Sequence, residues 1–520
     1  QAVIIRSFSA VLLRRVVSPL GAHWPKLAAS TQGALRSGML ASLQNETQAA
    51  VARKVCHAIA AASCPPAAAW PELLPAVVGM AQPSQDAPKR ALIFFLLEKI
   101  AENSPEVLAG QAGPLMQVCM CVCVCDAAPL PVASSAAKAA TALLEGLPND
   151  ADRMPFSGAI PKILQVLSAV LSAGDELQAQ EQLEGLACLA EATPLFFKPF
   201  VNDITQAMLQ VGGAAQLELR TRCSAVEVLL SLCEGAPAIM RKVSSLVPGL
   251  FPLAVSLAAE GVDEDQSDWA KGSYNDQVED EEEGAYGVEA MCRMVEALNA
   301  RATLPTAMQI VPQCLAAAEW QRRRAGLCAL GALADGATKG FKEHLASAAG
   351  APVSLLATDA SPRVRFQALQ LAARLCDLYP ESFQPMVHDK VVPAVCALLS
   401  DPNCCPRVKG HAAAALVNFC GTDKDKDKEK QVPAACLAPH LDLMLSSLCQ
   451  CLGNASTPRS VQRVALTAVA GIAQRTEADF VRYYGAFMPG LKSIVAAAAP
   501  SVGATGAATD PEADRLLGQA

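Results

Sequence analysis

Aromatic side chains are scarce in this sequence: 4 Trp, 5 Tyr and 14 Phe make up 4% of 520 residues. Alanine and leucine take their place, and that composition favours helices over strands. Histidine is thin as well. Six residues stand singly at 23, 57, 344, 388, 411 and 440, and none falls in an HExxH arrangement. There is no GxxxxGK[ST] phosphate loop, no GxGxxG following a strand and no GxSxG elbow. With these routes to metal, nucleotide and serine chemistry missing, the chain is not expected to be an enzyme, and no cofactor or metal is assigned. Long apolar runs are also lacking: residues 91–97 and 116–125 are too short to span a bilayer, so a soluble chain is expected, without membrane insertion. No signal peptide is visible, because Arg6 and the pair Arg14-Arg15 already sit inside an amphipathic pattern.

The formal net charge of −8 and pI near 5.4 describe a mildly acidic surface. Such a surface repels nucleic acid and anionic lipid and points to basic protein partners. Twenty cysteines show no framework of regular loop spacings and lie mostly in apolar helical stretches, which implies a reducing compartment. In the run Cys119, Cys121, Cys123, Cys125 only residues four apart share a helical face, and no histidine completes a tetrahedral set. These cysteines read as small buried hydrophobes.

At 520 residues the chain is too long for one compact core, yet no clean domain break is visible. A repeat resolves the tension. Asp359 and Pro362 open an apolar three-four pattern in which Val364-Arg365 is followed by Ala368 and Leu371, and the Val-basic pair returns 44 residues later as Val408-Lys409. Upstream, Arg322 precedes Ala325 in the same way, 43 residues before Arg365. Weaker copies open at Arg53, Arg90, Arg222 and Arg459, with proline-introduced helices between them. The unit is a helical hairpin of about 40 to 47 residues, the period of HEAT or armadillo repeats. The expected fold is all-α: a right-handed superhelical solenoid of ten to eleven HEAT hairpins forming a single array over residues 1–520. Each hairpin buries its apolar face on its neighbours.

Two segments interrupt the period. Residues 261–284 carry Asp263, Glu264, Asp265, Asp268, Trp269, Glu279, Asp280, Glu281, Glu282 and Glu283, and this acidic inter-helix loop is expected between two hairpins, with Trp269 as an anchor. Residues 421–432 alternate acids with lysines and read as a solvated loop.

With these features in this order, namely Arg14-Arg15, Arg53-Lys54, the Asp268-Trp269 acidic loop, residues 320–330, Pro362 to Arg365 and residues 411–419, the chain resembles the importin-beta (karyopherin-beta) family of nuclear transport receptors. Members of that family are longer, so the resemblance implies an amino-terminal-half piece truncated at both ends. It also implies cargo bearing basic nuclear localisation signals on the concave face, release by Ran in its GTP form, nucleoporins as further partners, and shuttling between cytoplasm and nucleus.

Polar residues late in three consecutive inner helices, Asp335, Asp377 and Asn418, lie 42 and 41 residues apart and so should align as a column on one surface. Carboxylate and amide oxygens suit a lysine ammonium. In relatives, residues at similar positions grip lysines of a localisation signal. The preceding repeat departs from the pattern: Cys292 stands where an acid is expected, with Glu289 and Glu296 one turn away. The acidic loop resembles a release device coupling Ran to cargo. The rival reading is a static HEAT scaffold joining two partners without a GTPase switch.

Overall fold

The computed structural model describes residues 2–18, 24–63, 70–124, 128–260, 267–271, 284–420, 434–454 and 456–498. Every regular element among them is a helix. No single helix among them is long and apolar enough to cross a membrane. The array divides into two compact units, Gln1–Leu246 and Val247–Ala520.

In the first unit the main helices are α1 (Ala2–Val17), α2 (Ala29–Asn45), α3 (Ala49–Ala62), α4 (Leu73–Met80), α5 (Ala87–Asn103), α6 (Ala112–Val124), α7 (Leu130–Gly146), α8 (Ala159–Ser172), α9 (Glu176–Ala192), α10 (Val201–Gly212) and α11 (Leu219–Gly235). Even-numbered helices pack on the odd-numbered helix that follows, giving five hairpins among the described residues. The odd-numbered helices stack on one another from α1 to α11 in a continuous row. Ile59, Leu96, Leu186 and Leu229 are fully buried within that row or under it. Each such side chain contributes about 1.5–3 kcal/mol relative to an exposed one.

The second unit holds α12 (Leu246–Ala259, whose first residue belongs to the first unit), the one-turn α13 (Ser267–Lys271), α14 (Ala285–Leu298), α15 (Ala300–Leu315), α16 (Trp320–Gly336), α17 (Gly350–Thr358), α18 (Pro362–Leu378), α19 (Pro380–Ser400), α20 (Pro406–Cys420), α21 (Leu441–Gly453), α22 (Arg459–Thr476) and α23 (Val481–Ala498). Here α14, α16, α18, α20 and α22 form the row.

A recurring basic residue ties four of the hairpins together. Near the start of a row helix, its side chain donates to the carbonyls that end the preceding helix, where the dipole leaves unsatisfied acceptors. Arg90 Nε reaches Ala81 O at 3.2 Å, Arg222 Nε reaches Gly212 O at 2.8 Å, Arg323 Nη1 reaches Ala317 O at 3.0 Å and Lys409 Nζ reaches Asp401 O at 2.7 Å. Of the periodic basic positions of the sequence, Arg90, Arg222 and Lys409 are therefore caps between paired helices, whereas in the repeat opened at Trp320 the cap is Arg323, next to Arg322. Arg323 also forms a two-bond ion pair with Asp359, 2.6 and 3.0 Å, in the turn of the next hairpin. Asp359 accepts the Ser361 backbone N–H, Ser361 caps Val364 N, and Pro362 occupies the first turn of α18.

The acidic segment sits elsewhere than the sequence suggested. It joins α12 to α14, which pack as one hairpin, instead of separating two hairpins. Gly287 permits the pairing, since a Cβ there would lie 2.2 Å from Ala258 N and 2.6 Å from Ala254 O. Of the acidic segment, Asp263, Glu264, Asp265 and Glu279 to Glu283 lie outside the described residues, as does the charged loop 421–432. In the cysteine run Cys119 and Cys123 are buried as expected, whereas Cys121 is exposed because it points off the opposite helix face.

Candidate functional site

The stacking of α14, α16, α18 and α20 leaves a groove of about 730 Å³ on the second unit. Asp335, Asp377 and Asn418, one from each of three consecutive row helices, line it together with Glu289 of α14. All four side chains are exposed. The near-repeat spacing puts them on equivalent faces, because one repeat advances the chain by one hairpin and returns it to the same side of the stack. Cys292 also lines the groove. Its thiol is pushed up to about 11, first by burial and then by the neighbouring Asp335, so it stays a neutral wall residue. Glu296 is exposed on the same helix but is not among the groove-lining residues.

Sequence reasoning missed Arg374. It lies on the groove face of α18, and its guanidinium binds Asp335 at 2.6 Å and Asp377 at 3.0 Å. The column therefore carries its own cation. The signal available was local: Arg374 stands three residues before Asp377, on the same face, whereas its reach to Asp335 depends on how two repeats stack. Gln367 and Gln370 add further amide groups to the wall. Phe366 and His411 form an aromatic floor, with ring centroids 4.4 Å apart.

Trp269 is buried at that floor. Its ring meets Phe366 edge-on at 5.3 Å, and the guanidinium groups of Arg363 and Arg407 lie 5.3 and 5.1 Å from its centroid. The tryptophan thus fastens the α13 turn to α18 and α20, immediately beside the groove. A second aromatic residue steadies the acid column: Tyr379 donates to Thr338 O at 2.9 Å beyond the end of α16. Burial, then the nearby Asp335 charge, push its phenol up to about 12, so it remains a donor.

This arrangement offers acceptor oxygens from four successive row helices along one open groove, suited to an extended cationic segment. Among the described residues no group of three or more His, Cys, Asp or Glu side chains is placed to hold a metal.

A family described as IPO5-like, TPR repeats matches residues 47–207, and one described as Importin repeat matches residues 214–305. Importin subunit beta-3 of Saccharomyces cerevisiae is 27% identical over 463 residues, covering 89% of this chain and 41% of that protein. Human importin-4 is 24% identical over 501 residues, covering 94% of this chain and 44% of its own length. The chain thus spans less than half the length of the curated relatives it matches. The crystal structure of Kap121p superposes with a TM-score of 0.81 at 24% identity, covering 98% of this chain and 47% of that one, and structures of Kap121p bound to Nup53p and to Pho4p match similarly.

Proposed function

The chain belongs to the importin-beta family, and from that premise we propose that it serves as a nuclear transport receptor that binds basic localisation-signal cargo in the groove of its second unit and gives it up to Ran-GTP. The observation that carries this reading is the convergence of Glu289, Asp335, Asp377 and Asn418 on one groove. Three carboxylates and an amide oxygen supply acceptors at repeat spacing, and a lysine ammonium supplies three donors to meet them. Because the groove is open and its acids are exposed, the charges mainly steer and register the guest, and affinity should fall with salt.

The placement of Trp269 supports a role for residues 261–284 in release. A partner that pulls on this segment acts on Phe366, Arg363 and Arg407, whose helices form the groove. Kap121p has been solved bound to Nup53p and to the SUMO protease Ulp1p, which fits a receptor that meets several protein partners, among which we place cargo and nucleoporins. Movement between cytoplasm and nucleus follows from that role.

The test is fluorescence anisotropy with a labelled lysine-rich localisation-signal peptide. Asp335→Lys/Asp377→Lys should weaken binding by at least about tenfold, since like charge replaces opposite charge at two contacts. Titration with Ran-GTP should displace the peptide from the native chain. Binding that ignores both the double substitution and Ran would instead describe a static scaffold.

A further inference from the structure

The first unit carries a groove that the reading above does not use. Between α5, α7 and α9 runs a cleft of about 420 Å³, in the size range of ligand sites. Glu98 and Glu102 come from α5, Glu145 from α7, and Gln182 and Glu184 from α9. Glu98, Thr141 and Glu184 recur at 43-residue intervals, so the same repeat geometry that builds the groove of the second unit builds this one.

Its own cations are committed. Lys99 sits 2.8 Å from Glu98 and 2.6 Å from Glu102, Lys138 pairs with Glu181, and Arg220 reaches Glu184 at 3.1 Å. Glu145 has no basic partner among the described residues. Partial desolvation, then repulsion from Glu102 and Glu191, hold its carboxyl above the ordinary value. Two acceptors on the wall are buried and orphaned: Glu98 Oε2 and Gln182 Oε1, on residues only 9% and 3% exposed, make no hydrogen bond. Gln182 spends its Nε2 on Ser134 Oγ at 2.9 Å, which leaves the oxygen as its unused end. Buried polar atoms are almost always satisfied, and two exceptions lining one cleft, from the helices on either side of α7, mark a place where donors arrive from outside.

We propose that this groove is a second binding site, for an extended lysine- or arginine-bearing protein segment that crosses α5, α7 and α9 and offers its cationic side chains to Glu98, Gln182, Glu145 and Glu184. Both buried, unsatisfied atoms in the groove are acceptors, so they call for a donor from the guest. An ammonium or guanidinium supplies several donors with the opposite charge, whereas a nucleic acid backbone would add anions to a cluster already crowded with them. The inference stands independently of the groove in the second unit.

Cys188 lines the cleft and is exposed, which gives a local probe in the intact chain. The chain is incubated with a Gly/Ser peptide carrying alternating lysines, and alkylation by iodoacetamide is followed residue by residue by mass spectrometry, with exposed Cys121 as the internal standard. The peptide should slow alkylation of Cys188 by about fivefold or more while Cys121 is unchanged, as expected where a bound chain excludes reagent from a charged cleft. The same peptide with acetylated lysines should give no protection. Glu145→Gln/Glu184→Gln should abolish protection, and Glu98→Gln alone should weaken it, each with an unchanged far-UV spectrum. Asp335→Lys/Asp377→Lys should leave the protection of Cys188 intact. Equal alkylation rates with and without peptide, or protection that survives Glu145→Gln/Glu184→Gln, would overturn the proposal.

Discussion

Arg374 Nε donates to Asp335 Oδ1 at 2.6 Å, across two neighbouring repeats, while its Nη1 donates to Asp377 Oδ2 at 3.0 Å. The guanidinium stands between the carboxylates that the proposed cargo lysine must use. A guest therefore competes with an internal cation. Exposed ion pairs of this kind are worth about 0.2–1 kcal/mol each. Arg374→Gln should accordingly tighten binding of a lysine-rich peptide by about threefold to tenfold and steepen its salt dependence. Anisotropy titrations at two salt concentrations check this, and weaker binding would mean that Arg374 itself contacts the guest.

The column of Asp335, Asp377 and Asn418 was readable because the residues recur at the spacing of the hairpin, and equal spacing in a solenoid maps onto one face. The helices were readable for a similar reason: prolines at first turns and basic residues at the start of row helices are local signals with a local purpose, as Pro362 and Lys409 show. What could not be read depends on stacking between repeats. The bridge from Arg374 to Asp335 spans 39 residues, and the docking of Trp269 against Phe366 spans nearly a hundred. The place of the acidic segment inside a hairpin was missed because an insertion lengthens the interval wherever it falls within the repeat, and only the close approach of Gly287 to Ala258 fixes the pairing.

The Arg323–Asp359 pair should behave as a staple between adjacent hairpins. The Asp359 side chain is only 3% exposed and that of Arg323 17%, so removing the acid strands a cation in a poorly hydrated turn. Asp359→Ala is expected to lower stability by about 3 kcal/mol. In urea melts of the double variant Arg323→Ala/Asp359→Ala the loss should be less than the sum of the two single losses. Simple additivity would show that the pair contributes no coupling.

Trp269 should control access to the segment between α12 and α14. Its two guanidinium contacts are each worth about 0.5–2 kcal/mol, and the ring packing on Phe366 adds to them. In Trp269→Ala the undocked population should rise on the order of tenfold or more. Lys271 ends the docked turn and is exposed, so tryptic cleavage after it reports the change directly. A cleavage rate equal to that of the native chain would show that the tryptophan does not hold the segment.

The buried Glu98 sets a pH dependence whose sign can be worked out. Burial raises its carboxyl above the ordinary carboxylate range, against the opposing pull of Lys99 and Lys138. A carboxyl that holds its proton more tightly when folded than when unfolded favours the fold while protonated. The penalty of ionising it is absent below the ordinary carboxylate pKa and fully present above the raised one. Glu98→Gln removes that penalty, so the variant should gain on the native chain as pH rises through this window, and the gap should close again in acid. Parallel urea melts across the carboxylate range test the point. A gap that widens towards acid would mean that the ion pair with Lys99, 2.8 Å away, outweighs desolvation, and that the orphaned oxygen of Glu98 is not a source of strain in the empty groove.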